Sequence, residues 1–248
     1  MNFSLIFPSR ERPELLRNFL ASVKETAADL DNLEVLIGMD NDDVSFLRLD
    51  RLEVKEYSFA KITVFQRRPD LTSYYNDLAI RSRGRFIWVL NDDCVLTTKG
   101  WDRLALVHIL KTASMGGTFY GRTHDTLGAK NPAGEPTFSM FPLLSRGAYN
   151  AQCWVLNPKF PAWGADENLH RIWDGLGRVV DLPMMTVEHR SFHHGLRERD
   201  QLSERVGTLS KHPYPSREAM EEDITKEIER IRRVLDGLPS LPPAESTR

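Results

Sequence analysis

The feature that most limits what this chain can fold into is a repeated order: a short, unbroken apolar run, then a helical stretch, with the runs ending in polar or acidic residues. Residues 3–7 form the first run and stop at Pro8-Ser9-Arg10; Leu15, Leu16, Phe19, Leu20 and Val23 then recur at helical spacing, with Pro13 in the first turn. A second run, 33–39, leads straight into Asp40-Asn41-Asp42-Asp43. A third covers 61–65, a second helix 71–83, and a fourth run, 85–90, ends in Asn91-Asp92-Asp93. A strand that is apolar at every position needs cover on both faces, and strands alternating with helices provide it in a parallel α/β sheet. In open sheets of this kind the ligand crevice lies beyond the carboxyl ends of the strands, where these acids fall.

The second half is less regular. It reads as a helix over 101–111, a strand over 117–121, a long loop over 122–136, and a helix over 165–175 with acids at its start. A strand over 179–188 then runs into His189, and a charged amphipathic helix spans 216–235. We take 1–195 as one domain of two halves, 1–97 and 98–195. Residues 196–248 form a C-terminal extension of lid segment, helix and polar tail.

Composition narrows the function classes. The 248 residues carry 33 Lys and Arg against 35 Asp and Glu, a net charge of -2, so no global basic field draws the chain to nucleic acid or anionic lipid. Cys94 and Cys153, the two cysteines, make no disulfide framework and are expected as free buried thiols in a reducing compartment. No apolar run approaches the ~20 residues of a membrane span, and the start lacks a signal peptide's basic and apolar regions. The expectation is a soluble, cytoplasmic protein.

Adjacent carboxylates at a strand end repel one another unless water or a cation neutralises them, and hard oxygen ligands suit Mg²⁺ or Mn²⁺. The alternative for Asp92 and Asp93 is a turn or helix cap. Asp40 ends the second strand as Asp92 ends the fourth, and Ser9 and Arg10 end the first on the same edge. Arg, Ser and several carboxylates together suit a metal-bound phosphate ester carrying a ribose or base. The glycine-rich phosphate loops are missing. Phosphate binding would then depend on the metal.

In FSLIFPSRERPELLRNFLASV, LEVLIGMDNDD, YYNDLAIRSRGRFIWVLNDDCVL, GADENLHRIWDGLG and VEH, in that order, the chain resembles the family 2 glycosyltransferases of GT-A fold over about its first ~195 residues. The resemblance implies a Rossmann-like, mostly parallel central sheet flanked by helices, with a helical C-terminal extension. It implies a metal-dependent, inverting transferase moving a sugar from a nucleotide-diphosphate donor, a UDP-sugar foremost, to an acceptor hydroxyl. Carried over by residue, Pro8, Ser9 and Arg10 line the nucleotide pocket, Asp40 contacts base or ribose, and Asn76 supports the donor site. Asp93 ligates Mn²⁺ or Mg²⁺, with Asp92 toward ribose or metal; Asn91 stands where the fuller motif has an acid. Asp166 falls at the general-base position, with Ala165 in place of the usual preceding acid and Glu167 as the other candidate. Both also suit a helix N-terminus. His189 matches a metal ligand, with His193 and His194 close by, Phe192 and residues 195–215 suggest a lid, and Trp154 and Trp163 are candidates to stack on sugars or fill the core. The rival readings are a nucleotidyltransferase and a non-catalytic carbohydrate- or nucleotide-binding domain. The acceptor is open among glycan, lipid, protein and small molecule, with a modified nucleic-acid base as a minor alternative.

Overall fold

β1 (Phe3–Pro8) runs between β2 (Leu33–Asp40) and β4 (Phe86–Val89), parallel to both, in a computed structural model that describes residues 1–45, 56–112, 117–126, 128, 130, 137–192, 195, 198, 200, 213–214 and 216–237. Flanked on both edges and covered on both faces, β1 buries Leu5, Ile6 and Phe7 in succession, which is why its sequence does not alternate. β3 (Ala60–Phe65) pairs parallel with β2 as the edge strand and leaves Val64 open to solvent. α1 (Pro13–Thr26) buries Leu16, Phe19, Leu20 and Val23, with Glu14 in its first turn and Lys24 in its last, each suited to the helix dipole. α2 (Thr72–Arg81) follows β3 and packs on β1 and β2.

Beyond β4 the sheet turns mixed. β5 (Cys94–Leu96), α3 (Trp101–Thr112), β6 (Tyr120–Asp125), β7 (Leu143–Ser145), α4 (Arg146–Gln152), α5 (Ala165–Gly175) and β8 (Val179–His189) complete the order β3-β2-β1-β4-β7-β6-β8-β5. The β4/β7, β7/β6 and β5/β8 pairs are antiparallel and β6/β8 is parallel. The sequence reading misses β5, β7 and α4, two strands of three residues and a helix of seven, all too short to show a period. It also stops the strand after α3 at residue 121, whereas β6 begins at Tyr120 and continues into polar Arg122, His124 and Asp125.

The strand order forces a curl. Three strands separate β4 from β5, so a flat sheet would hold them about 19 Å apart. Only residues 90–93 connect them, and a reach of roughly 17 Å at full extension is shortened further by the turn in which Cys94 N–H meets Asn91 O. The sheet must therefore roll back on itself, and the acidic turn Asn91-Asp92-Asp93 spans the gap. β5 closes the roll against α1, where the Ser22 hydroxyl accepts from Leu96 N–H at 3.1 Å.

α6 (Arg217–Leu235) is the helical extension, capped by the Ser216 hydroxyl accepting from Ala219 N–H. Its buried Ile224 and Ile231 seat it on α4 and α5. Ion pairs of Asp223 with Lys159 and Glu221 with Arg171 fix it further. Among the described residues no helix is long and apolar enough to cross a membrane. Both cysteines are free; Cys94 is buried, but Cys153 is exposed, because it ends α4 in a left-handed conformation (φ 69°) that turns its side chain out.

At the opposite end of the sheet from the acidic turn, the buried Glu34 accepts from the Ser4 hydroxyl at 2.8 Å, Arg83 N–H at 2.7 Å and Lys61 Nζ at 3.1 Å. Burial alone would raise its carboxyl, but these donors hold it below the ordinary range. Gly84 N–H donates to Ser4 Oγ at 2.8 Å, and a Cβ at Gly84 would lie 2.6 Å from Ser4 N and 2.7 Å from Phe3 C. Backbone cannot yield as a side-chain tip can. Gly84→Ala is therefore expected to lower stability by about 1–3 kcal/mol, seen as a lower urea midpoint at unchanged slope. An unchanged midpoint would show that the close approach is not constraining.

Candidate active site

The strand ends converge on a cavity of about 410 Å³, within the ordinary range for a small-molecule site. Pro8, Ser9, Arg10, Asp40, Asp92, Asp93, Asp166 and His189 all line it. Asn76 and Glu167 do not line it: Asn76 turns to backbone elsewhere, and Glu167 is exposed on α5. Of the two acids at the start of α5, only Asp166 reaches the cavity.

Asp92 and Asp93 are 2% and 6% exposed. Asp92 accepts from the Ser9 hydroxyl at 2.9 Å and from Arg12 Nη1 at 2.9 Å. Loss of water raises its carboxyl; Arg12 opposes that rise, and the neighbouring Asp93 adds to it, leaving it at about 6. Arg12 was not foreseen, because in sequence it is only the residue before α1. Its role depends on Glu11, which takes the left-handed region (φ 56°) with its N–H on Asp43 Oδ2 at 3.0 Å. Arg10 bonds Asp40 Oδ2 at 2.9 Å and Asp42, while Arg12 bonds Asp92. The spacing of the two arginines in PSRER is the signal that could have found it. Arg12 also meets Asp200 with Nε at 2.7 Å and Nη2 at 2.9 Å, a two-pronged carboxylate grip. Burial would lower the guanidinium, yet Asp92, Asp200 and Asp93 together raise it.

On the other wall Asp40 also accepts from the Tyr74 hydroxyl, which in turn accepts from Arg68 N–H at 2.9 Å. The Tyr75 hydroxyl donates to Leu90 O at 2.9 Å, with Asn91 Oδ1 beside it. Both tyrosines sit one helical turn into the cavity from the start of α2, and neither was singled out from sequence. Three arginines on α2 and the segment before it are engaged by acids or backbone: Arg67 meets Asp42, Arg68 meets Asp77, and Arg81 Nη1 meets Asp77 O.

β5 pairs Cys94 with His189, and Arg190 N–H donates to Asp93 O at 2.8 Å, so the strand register brings His189 beside Asp93. Nε2 lies 3.5 Å from Asp93 Oδ1, and the ring stands edge-on to Phe141 at 5.0 Å. His189 Nδ1 is buried and has no hydrogen-bond partner among the described residues. Those residues hold no group of three or more His, Cys, Asp or Glu arranged for a metal. A carboxylate and an imidazole converging in a buried cavity fit a divalent cation that takes its remaining ligands from phosphate oxygens and water, as Mg²⁺ commonly does. His193 and His194 lie outside the described residues, as does most of 195–215.

Gly164 (φ 84°) starts α5, and Asp166 in the first turn lines the cavity. Asp166 Oδ1 accepts from Glu167 N–H at 3.0 Å, so the helix-start role is realised as well. Loss of water, with Glu167 and Asp125 nearby, pushes its carboxyl up to about 6. Trp163, 47% exposed, lines the cavity mouth along with Phe192. Trp154 is half-buried against the core.

Solved structures resemble this arrangement of strands. S. aureus TarS residues 1–349, in complex with UDP-GlcNAc, superimposes with a TM-score of 0.60 at 13% identity, covering 94% of this chain and 73% of that one. GalNAc-T7 with UDP, GalNAc and Mn²⁺ gives 0.64 at 15% identity, covering 94% of this chain and 48% of that one. The mannosyltransferase PcManGT from Pyrobaculum calidifontis, with GDP-Man and Mn²⁺, gives 0.57 at 11% identity, covering 98% and 77%. The chain has the GT-A fold. No protein-family model and no curated protein sequence matches it. Within this fold, the turn after β4 and the start of α5 both line one cavity.

Arg12 is 12% and Asp92 2% exposed by side chain, so removing the guanidinium strands a buried charge. Arg12→Met is expected to cost about 3–5 kcal/mol in urea unfolding, and adding Asp92→Asn should recover most of that. Additive losses in the double variant would show that the two do not form a working pair.

Proposed function

We propose that the chain is a glycosyltransferase that moves a sugar from a nucleotide-diphosphate donor, a UDP-sugar foremost, to an acceptor hydroxyl with inversion. The observation that carries this reading is that two unlike acidic groups line one cavity. One is Asp92 and Asp93, buried beside Arg12 and His189; the other is Asp166, held near a proton-accepting range. Asp93 and His189 would hold Mn²⁺ or Mg²⁺, which when bound would neutralise the diphosphate of the donor and of the leaving group.

The protein's own groups supply the rest. Pro8, Ser9, Arg10 and Asp40 form the wall for base and ribose. Arg12 brings a fixed cation toward the phosphates. Asp166 takes the proton of the acceptor hydroxyl as its oxygen bonds to the anomeric carbon; the bond from that carbon to the diphosphate oxygen breaks, and nucleoside diphosphate departs. A base near pH 6 is suited to this at neutral pH, since it is ionised yet still basic enough to accept. Trp163 at the mouth offers a flat face to an incoming sugar or other planar acceptor. The nucleotide sugars bound to the structurally similar TarS and PcManGT support the donor class.

A donor screen over nucleotide sugars with Mn²⁺ or Mg²⁺, scored by product, tests the reading. Release of nucleoside diphosphate is expected; pyrophosphate would point to nucleotidyl transfer, and no turnover of any donor would contradict catalysis. With an active donor, the rate should rise with pH through about 6, where Asp166 and Asp92 both lose their protons, and level off above it. Asp166→Asn should lower kcat by about 10²–10⁴-fold with nucleotide affinity unchanged. Glu167→Gln should transfer normally; a collapse there instead would move the base to Glu167.

A further inference from the structure

The segment between α4 and α5, residues 153–164, supplies Leu156, Ala162, Trp163 and Gly164 to the cavity and delivers Asp166. It has no helix or strand, so its buried backbone groups need partners from elsewhere. α2 and the residue before it provide them. Asn76 Oδ1 accepts from Val155 N–H at 2.8 Å and Leu156 N–H at 3.2 Å, and Asn76 Nδ2 donates to Leu156 O at 2.8 Å. One turn earlier, the Thr72 hydroxyl donates to Phe160 O at 2.7 Å, and Leu71 N–H to Pro161 O at 2.7 Å. The Phe160 ring then packs 3.2 Å from where a Gly164 Cβ would stand.

The same helix grips the donor side. Tyr74 bonds Asp40, and Tyr75 bonds Leu90 O at the start of the acidic turn. α2 is therefore a bar bonded at one set of positions to the donor wall and at another to the segment that carries the general base. Five hydrogen bonds reach that segment, three of them from one amide.

We infer that Asn76 and Thr72 are positioning residues, which set Asp166 at a fixed distance from the donor cavity without touching substrate. This rests on the glycosyl-transfer reading of the site. Loosening the segment leaves the nucleotide walls intact but displaces the base, and a misplacement on the order of 1 Å can lower a rate about 10²-fold.

The test measures kcat for transfer, nucleoside diphosphate affinity by calorimetry, and thermal unfolding in wild type, Asn76→Ala, Thr72→Val and Thr72→Ser. Asn76→Ala should lower kcat per folded molecule by about 10–10²-fold with nucleotide affinity within about twofold of wild type. Thr72→Val, which keeps the shape and loses the hydroxyl, should lower kcat less, and Thr72→Ser should restore it. If Asn76→Ala does not fold, the Thr72 pair decides. Wild-type kcat per folded molecule in Asn76→Ala or in Thr72→Val would overturn the inference and leave the transferase reading standing. A parallel loss of nucleotide affinity would also overturn it, placing Asn76 in donor support. A wild-type protein that turns over no donor would overturn both.

Discussion

Two carboxylates on consecutive residues, Asp92 and Asp93, are withdrawn from water at the turn where the sheet rolls back on itself. Like charges so placed are unfavourable unless other groups compensate, and much of the local structure does so. The Ser9 hydroxyl and Arg12 take Asp92, and the left-handed turn at Glu11 is part of the path that brings Arg12 there. The edge pairing of β5 with β8 sets His189 beside Asp93. The curl itself follows from the same few residues, since a short acidic turn joins strands that a flat sheet would hold too far apart.

Compensation is unequal across the pair. Arg12 hydrogen-bonds Asp92 and its guanidinium is raised by the charge of Asp93 as well, while His189 Nε2 stands 3.5 Å from Asp93. In the proposed reading, Asp93 and His189 would hold one divalent cation, and Arg12 would stand beside it as the protein's own cation. Its two-pronged grip by Asp200 is the geometry a phosphate would also use. The raised carboxyl of Asp166 follows from lost water and the neighbouring acids Glu167 and Asp125.

The first half of the fold was legible because its strands are buried on both faces and so read as unbroken apolar runs bounded by polar ends. β5, β7 and α4 were not, since three to seven residues carry no period and their places are set by pairing with distant strands. The polar end of β6 looks like loop in sequence for a related reason: Arg122 and His124 both meet Asp181 on β8, a partner invisible in local sequence. In the site, Asp40, Asp92, Asp93, Asp166 and His189 stood out as acids or a histidine at element ends, and all reach the cavity. Arg12, Tyr74 and Tyr75 do not stand out in the sequence because their place in the cavity depends on a backbone reversal or on the phase of a helix. Asn76 was noticed for its position, yet the helix turns its amide to the backbone at 155–156 rather than to the cavity.

The asymmetry between Asp92 and Asp93 is tested most directly by titrating UDP into the wild-type protein and Asp93→Asn with and without Mn²⁺, using calorimetry. Binding to the wild type is expected to strengthen at least about tenfold with Mn²⁺, the scale of one charge-assisted contact, and Asp93→Asn is expected to lose that gain while keeping its metal-free affinity. Equal UDP affinity with and without Mn²⁺ in the wild type, or a Mn²⁺ effect that survives in Asp93→Asn, would contradict a cation held at Asp93 and His189.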